Sequence, residues 1–225
     1  MTAPVVGISA DLIEHNGLVR AAAPETYSRA VRLAGGIPVI LPPVPETALD
    51  AVQLCDALVL TGGDDPCTEP FGEATDPRVT RVDPTRQRAE SAVLDYLGQH
   101  QPDTPVLGVC LGMQMMALHA GGQLDQFMAD TTTTHADHWD RNHAITAADA
   151  VFVSNGVVHS KHKQAVAGPG RMRVAAVAHD GVCEAIVDTD RAFYVGVQWH
   201  PERTESEPLG LDVFRQLIRS ARRGR

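Results

Sequence analysis

The sequence predicts an α/β fold: a mostly parallel central sheet with helices on both faces and extra strands in the C-terminal half. Over the first half of the chain, short β-branched runs alternate with helical patterns, which is typical of βαβ units. The length of 225 residues suits one large α/β domain, so we expect a single domain over residues 1–225. The apolar fraction of 44% and the charged fraction of 21% exclude disordered, collagen-like and coiled-coil proteins.

The first half is predicted to alternate strands and helices in chain order. Four apolar runs predict strands at residues 4–10, 37–41, 57–60 and 106–109. Helical spacing predicts helices at residues 24–34, 46–54, 84–99 and 111–120. Pro24 occupies a tolerated first-turn position, and Gly35 and Gly36 end that helix. Residues 65–83 are rich in Pro, Gly, Thr and Asp and predict a long loop, a feature that is often functional.

The second half has strand-like runs with few helices between them. We predict strands at residues 145–153, 172–178, 183–187 and 193–198, which add further sheet to the same domain. Residues 208–221 predict a final amphipathic helix, because their apolar side chains fall on one stripe.

Charge and cysteine content exclude several classes of protein. The net charge of −9 argues against general nucleic-acid binding. No apolar run approaches the ~18 residues of a membrane span, and the N-terminus lacks the pattern of a signal peptide. The four cysteines show no CxxC pairing, which favours a reduced, cytoplasmic protein. One basic cluster suits the negative end of the last predicted helix; it consists of Arg215, Arg219, Arg222, Arg223 and Arg225.

A cysteine stands where a predicted strand runs directly into a helix. Gly108, Cys110 and Gly112 form G-x-C-x-G, the cysteine version of a nucleophile elbow. The helix N-terminus favours the thiolate, and the Leu111 amide is placed to stabilise an oxyanion. Gln114 lies one helical turn further on the same face, where its amide suits substrate binding. The alternative is a buried cysteine between closely packed glycines.

The sequence His200-Pro201-Glu202 supplies partners for such a cysteine. Thiol-dependent acyl transfer needs a base that takes and returns a proton, and a group that orients the base. Proline biases His200 towards extended backbone, in which residues two apart point to the same side. His200 and Glu202 are therefore predicted to project together.

These motifs resemble the class I (triad) glutamine amidotransferase superfamily, whose members carry G-x-C-x-G-x-Q and a later H-P-E. The resemblance implies a flavodoxin-like α/β fold with Cys110 as nucleophile, His200 as general base and acid, and Glu202 as its orienter. The turn at residues 62–64 corresponds to the second oxyanion loop, so the Gly63 amide would join that of Leu111.

Within the superfamily, the chain is similar to the γ-glutamyl-γ-aminobutyrate hydrolase group (peptidase family C26). The matching segments are residues 6–9, 35–38, 61–65, 70–73, 86–90 and 180–186. Residues 159–164 correspond to a segment that the group places near the γ-glutamyl site. Ser160, His162 and Gln164 match this segment, whereas His159 and Lys163 do not.

The resemblance implies a small γ-glutamyl substrate and no cofactor, and it leaves open a homodimer. The charge and the apolar runs described above predict no nucleic-acid or membrane partner, and the spacing of the histidines, described below, predicts no metal. The hydrolase group usually has arginine directly after the nucleophile, but this chain has Leu111. Leucine at this position is typical of synthetase-coupled amidotransferases. Three functions follow: a hydrolase of γ-glutamyl amides through a thioester, a glutaminase subunit that delivers ammonia to a separate synthetase, and a non-catalytic binding protein on the same fold.

Two further groups of residues are candidate ligands. His135, His138 and His143 could form a metal cluster with Asp137 or Asp140, but their spacing fits no established zinc signature, so we expect a solvated loop. Lys161 and Lys163 are expected to be surface lysines; the alternative is contact with a substrate carboxylate. The turn at residues 62–63 lacks the lysine and serine of a phosphate loop, so no nucleotide is expected.

Overall fold

A central sheet with helices on both faces forms the scaffold of the computed structural model, which describes residues 2–149 and 152–223. The strands in this part of the chain are β1 (Val5–Ser9), β2 (Asp11–His15), β3 (Leu18–Ala22), β4 (Ile37–Leu41), β5 (Ala57–Leu60), β6 (Val106–Val109), β7 (Gln123–Asp125), β8 (Trp139–Ala147), β9 (Gly156–Lys161), β10 (Ala165–Gly168), β11 (Arg173–Ala178), β12 (Cys183–Val187) and β13 (Tyr194–Val197). The helices are α1 (Glu25–Leu33), α2 (Ala48–Gln53), α3 (Pro84–His100), α4 (Leu111–His119) and α5 (Leu211–Arg223).

One half of the sheet is parallel, with the strand order β4-β1-β5-β6-β13. Strands β5, β6 and β13 are buried at every position, because helices cover both faces of a parallel sheet. Their continuous apolar sequences reflect this burial. The carboxyl ends of β5, β6 and β13 lie side by side, which brings together the segments that follow Leu60, Val109 and Val197.

The other half is antiparallel and continues from β13 in the order β12-β11-β8-β9. Strand β10 pairs with both β12 and β7. Eleven strands therefore form one sheet. The predicted α/β class and the added strands of the second half are confirmed.

Two apolar clusters lie on opposite faces of the sheet. Helices α1 and α5 contribute to one cluster, and α2, α3 and α4 contribute to the other. Helix α4 is buried along nearly its whole length, so it packs on all sides instead of presenting a polar face to solvent. None of the helices in the described ranges is long and apolar enough to cross a membrane.

A hairpin of β2 and β3 was missed by the sequence analysis. Asn16 and Gly17 connect its strands, with φ angles of 53° and 73°, as a type I′ turn requires. The Asn-Gly pair is the signal that identifies such a turn, but both strands are largely exposed and lack a clear apolar alternation. The hairpin matters because Asp11 and Ile13 line the cavity described below.

The predicted strand at residues 145–153 is wrong in its boundaries. Strand β8 spans Trp139–Ala147, and Val153 lies outside any strand; residues 150 and 151 lie outside the described residues, as does Arg225. The first four residues of β8 are exposed, so apolar periodicity could not reveal them. Strands β7, β9 and β10 were also missed.

Candidate active site

The turn from β6 into α4 holds Cys110 in a conformation that side chains rarely adopt. Its φ is 50° and its ψ is −104°, and such backbone angles persist only where the surroundings enforce them. The Cys110 amide donates to the Val197 carbonyl at 2.8 Å, which ties the turn to β13. This is the geometry of a nucleophile elbow.

Glycines on both sides of Cys110 allow this turn. A Cβ added at Gly112 would lie 2.3 Å from the Leu60 carbonyl oxygen, and one at Gly108 would lie 2.7 Å from the Gly112 carbonyl carbon. Both separations are far below ordinary van der Waals contact, so α4 approaches β5 and β6 as closely as it does only because these positions lack side chains.

His200 and Glu202 lie beside the elbow, in the segment that follows β13. His200 Nδ1 is 2.8 Å from Glu202 Oε1, and the Glu202 side chain is only 2% exposed. The His200 amide donates to the His159 carbonyl at 2.9 Å, and Thr204 Oγ1 donates to the His200 carbonyl at 2.8 Å. The backbone on both sides of the imidazole is therefore fixed.

The electrostatics of His200 favour the imidazolium. Burial by itself lowers the pKa of His200, but hydrogen bonds to Cys110 and Glu202 and the charges of these groups outweigh it and raise the pKa from 6.5 to about 10. By contrast, burial raises the thiol pKa of Cys55 to about 11 and that of Cys183 to about 12, and it also raises the pKa of Cys67. A stable imidazolium next to a cysteine is the arrangement that activates a thiol nucleophile.

The loop after β5 approaches both Cys110 and His200. A Cβ added at Gly62 would lie 3.0 Å from His200 Cε1 and 3.5 Å from Cys110 Cβ. The Gly62 amide donates to Tyr27 Oη at 3.0 Å, whereas the Gly63 and Leu111 amides donate no hydrogen bond to another residue in the described part of the chain. Two free amides next to Cys110 suit an oxyanion hole.

Arg86, to which the sequence analysis gave no role, holds this loop in place. It is fully buried, and its Nη2 donates to the carbonyl oxygens of Thr61 and Gly62 at 2.9 and 3.2 Å. Its charge is balanced by Glu90 at 3.0 Å and Asp11 at 3.3 Å. Because the bonded carbonyls belong to the peptides that flank Gly62, Arg86 fixes the direction of the Gly63 amide.

A cavity of about 770 Å³ opens over Cys110 and is lined by acidic and basic side chains. Of the residues predicted to bind substrate, Gln114 and His162 line this cavity. Gln114 Nε2 donates to Gln198 Oε1 and to the Gln164 carbonyl, both at 3.3 Å. Ser160 and Gln164 are fully buried and are not among the lining residues; their contact with substrate stays a prediction.

The expectation of a solvated loop at His135, His138 and His143 is wrong for two of the three. His135 is exposed, but His138 and His143 are buried and face the buried carboxylate of Glu184 at 3.1 and 3.3 Å. Glu184 lies on β12, far along the sequence, and the antiparallel half of the sheet brings it to these histidines.

Comparisons with known proteins agree with the fold and the motifs. The chain is 32% identical to a Mycobacterium tuberculosis protein named "Putative glutamine amidotransferase", over 97% of this chain and 75% of that protein. It is 26% identical to γ-glutamyl-γ-aminobutyrate hydrolase PuuD of Escherichia coli, over 92% of this chain and 89% of that protein. A crystal structure from Thermoplasma acidophilum, described as a "putative GMP synthase" component, superposes with a TM-score of 0.68 at 18% identity. That match covers 100% of this chain and 97% of the other, and it shows the shared fold.

The family model described as Peptidase C26 matches residues 4–202. This range includes the elbow at Cys110, the loop at Gly63 and the His200–Glu202 pair, so the match spans the whole candidate site. The chain belongs to the Peptidase C26 family.

Proposed function

We propose that the protein hydrolyses the γ-glutamyl amide bond of a small γ-glutamyl amine, such as γ-glutamyl-γ-aminobutyrate, through a thioester on Cys110. The observation that carries the proposal is that Cys110, the His200–Glu202 pair and Gly63 line one cavity, with the free amide of Leu111 directly after Cys110 in the chain. Family membership and relatives named as amidotransferases and hydrolases support amide-bond chemistry in general.

In the proposed reaction, the Cys110 thiolate attacks the γ-carbonyl carbon and forms a C–S bond. The carbonyl oxygen gains negative charge, which the Gly63 and Leu111 amides stabilise. The His200 imidazolium then gives its proton to the leaving amine nitrogen, and the C–N bond breaks. Neutral His200 next takes a proton from water, which attacks the thioester, releases glutamate and restores the thiolate.

The charges that line the cavity suit a γ-glutamyl group, which carries an α-ammonium and an α-carboxylate. Acidic side chains near the oxyanion loop are Asp11, Asp64 and Asp65, and basic side chains on the other lining segments are Lys161, Lys163 and Arg203. A volume of about 770 Å³ falls within the usual range for small-molecule sites, roughly 300–1,000 Å³. We propose that the acidic group receives the ammonium and the basic group receives the carboxylate.

The second candidate is a glutaminase subunit that delivers ammonia to a separate synthetase. Leu111 favours it, because synthetase-coupled amidotransferases carry leucine after the nucleophile. However, the oxyanion hole uses the backbone amide at this position, so the side chain does not decide the chemistry. A non-catalytic binding protein is a weaker candidate, since such a protein has no need of the paired His200 and Glu202. All four cysteines are free, and we propose a reducing, cytoplasmic setting in which Cys110 stays a thiol.

A panel of γ-glutamyl amines tests the proposal, with glutamine as the comparison substrate and Cys110→Ala as the control for contaminating activity. We expect the purified protein alone to release glutamate from at least one γ-glutamyl amine, with a higher kcat/KM than from glutamine. Inactivity on every γ-glutamyl amine, with glutaminase activity that appears only when a cell extract supplies a partner, would favour the second candidate.

A further inference from the structure

A buried cluster of three histidines and one glutamate lies outside the catalytic triad. It consists of His138, His143, His162 and Glu184, and one ligand atom from each lies within 4.8 Å of all the others. His138 ends a short 3-10 helix, His143 is on β8, His162 follows β9 and Glu184 is on β12. Three nitrogens and one carboxylate oxygen therefore meet from three stretches of chain: the 3-10 helix with β8, the residues after β9, and β12.

Four of the six separations between these atoms match a tetrahedral metal site, and the other two lie within 4.8 Å. Glu184 Oε1 is 3.1 Å from His138 Nδ1, 3.3 Å from His143 Nε2 and 3.5 Å from His162 Nε2. His138 Nδ1 and His162 Nε2 are 3.3 Å apart. Four ligands at about 2.0–2.1 Å from one zinc ion form a tetrahedron whose edges are about 3.3–3.4 Å, so these four separations bracket the ideal value.

The outer nitrogen of each ring faces an oxygen that accepts a hydrogen bond. His162 Nδ1 is 2.8 Å from the Gln164 carbonyl, and His143 Nδ1 is 3.2 Å from the Ala144 carbonyl. His138 Nε2 is 3.0 Å from Asp180 Oδ2. A carbonyl or carboxylate oxygen requires the proton on the outer nitrogen, so the neutral form of each ring carries its lone pair on the inner nitrogen. Metal-binding histidines are held in the same way, by an oxygen that accepts the other N–H.

The inner nitrogens of the three rings converge on one buried carboxylate. When the histidines are neutral, their inner lone pairs face the oxygen of Glu184, so acceptor meets acceptor in a buried space. Among the described residues, His143 Nε2 and Glu184 Oε2 have no hydrogen-bond partner, although both residues are buried. Burying such groups without a partner is costly, and a cation at the centre removes the cost.

We propose that His138, His143, His162 and Glu184 bind one zinc ion in a closed tetrahedral site. Histidine and carboxylate ligands in tetrahedral geometry are typical of zinc, whereas Mg²⁺ and Ca²⁺ require more oxygen ligands. Four protein ligands leave no position for water or substrate, so the site is structural. It links the segment that carries Lys161 and Lys163, two residues of the cavity wall, to β8 and β12.

The test is a zinc titration of the full chain in the Cys110→Ala background, because a catalytic cysteine next to a histidine can itself bind zinc. The protein is treated with a chelator, dialysed and titrated with ZnCl₂ alone at neutral pH. We expect one zinc per chain in Cys110→Ala, a higher Tm on zinc addition, and the visible absorption of tetrahedral Co²⁺ when Co²⁺ replaces zinc.

Three variants locate the site. Glu184→Gln removes the charged ligand and abolishes stoichiometric binding. Asp180→Ala keeps all four ligands but removes the oxygen that accepts from His138 Nε2, and lowers zinc affinity by roughly 10–100-fold; it tests the site even if Glu184→Gln fails to fold. His135→Ala, a change to an exposed histidine of the same segment, leaves binding unchanged. The proposal is overturned if Cys110→Ala binds no zinc, or if Asp180→Ala binds as tightly as His135→Ala.

Discussion

The close approach of α4 to β5 at Gly112 gives a sharp test of the elbow geometry. In Gly112→Ala, the new Cβ would lie 2.3 Å from the Leu60 carbonyl oxygen and 2.8 Å from Leu60 Cβ. Ordinary contact begins near 3.4 Å, so the start of α4 and the end of β5 must separate by about 1 Å. Overpacking of this kind costs about 1–3 kcal/mol in the free energy of unfolding.

The same displacement moves Cys110 and the Leu111 amide relative to the loop at Gly63. A shift of about 1 Å at a reacting group lowers the rate by roughly 100-fold. Denaturant unfolding measures the stability change, and glutamate release from the best γ-glutamyl amine measures the rate. The matched control is Gly168→Ala, because a Cβ added there meets no atom within 4 Å. If Gly112→Ala matched Gly168→Ala in both stability and rate, the elbow would not be packed as described.

The remaining predictions concern the thiol and its partners. Limiting iodoacetamide should label Cys110 first, with activity lost in proportion. An imidazolium adjoins Cys110, whereas burial raises the thiol pKa of the other three, Cys55, Cys67 and Cys183. Preferential labelling of Cys67 with activity retained would contradict this prediction. His200→Ala should lower kcat by roughly 10²–10⁴-fold, which is a larger loss than that of Glu202→Gln. Near wild-type turnover by His200→Ala would refute the triad. Since Glu202 helps to raise the His200 pKa to about 10, the imidazolium persists up to that pH and is lost above it. Glu202→Gln should therefore shift the alkaline decline of kcat/KM to lower pH, and an unshifted decline would show that Glu202 does not support the imidazolium.

The parts of the fold that the sequence predicts are those in which local pattern and burial agree. Strands β5 and β6 are short continuous apolar runs, and the structure buries every residue of both. The elbow can be predicted because the glycines that permit it stand at fixed positions around Cys110. The pairing of His200 with Glu202 can be predicted because extended backbone places alternate side chains on one side.

The parts that the sequence does not predict depend on contacts between distant segments. Strands β2 and β3 are largely exposed, so they lack an apolar pattern, and only Asn16-Gly17 signals their turn. The buried histidines could not be recognised because their partner, Glu184, joins them only when β12 and β8 enter the same sheet. Arg86 is similar: its charge suggests an exposed helix face, but Glu90 and Asp11 balance it in the core.

The thioester is the central claim, and capture by hydroxylamine tests it most directly. Hydroxylamine attacks a γ-glutamyl thioester in place of water and yields γ-glutamyl hydroxamate, which is measured during turnover of a γ-glutamyl amine. We predict that the wild-type protein forms the hydroxamate at the expense of glutamate and that Cys110→Ala forms neither product. Undiminished glutamate release by Cys110→Ala would contradict the account.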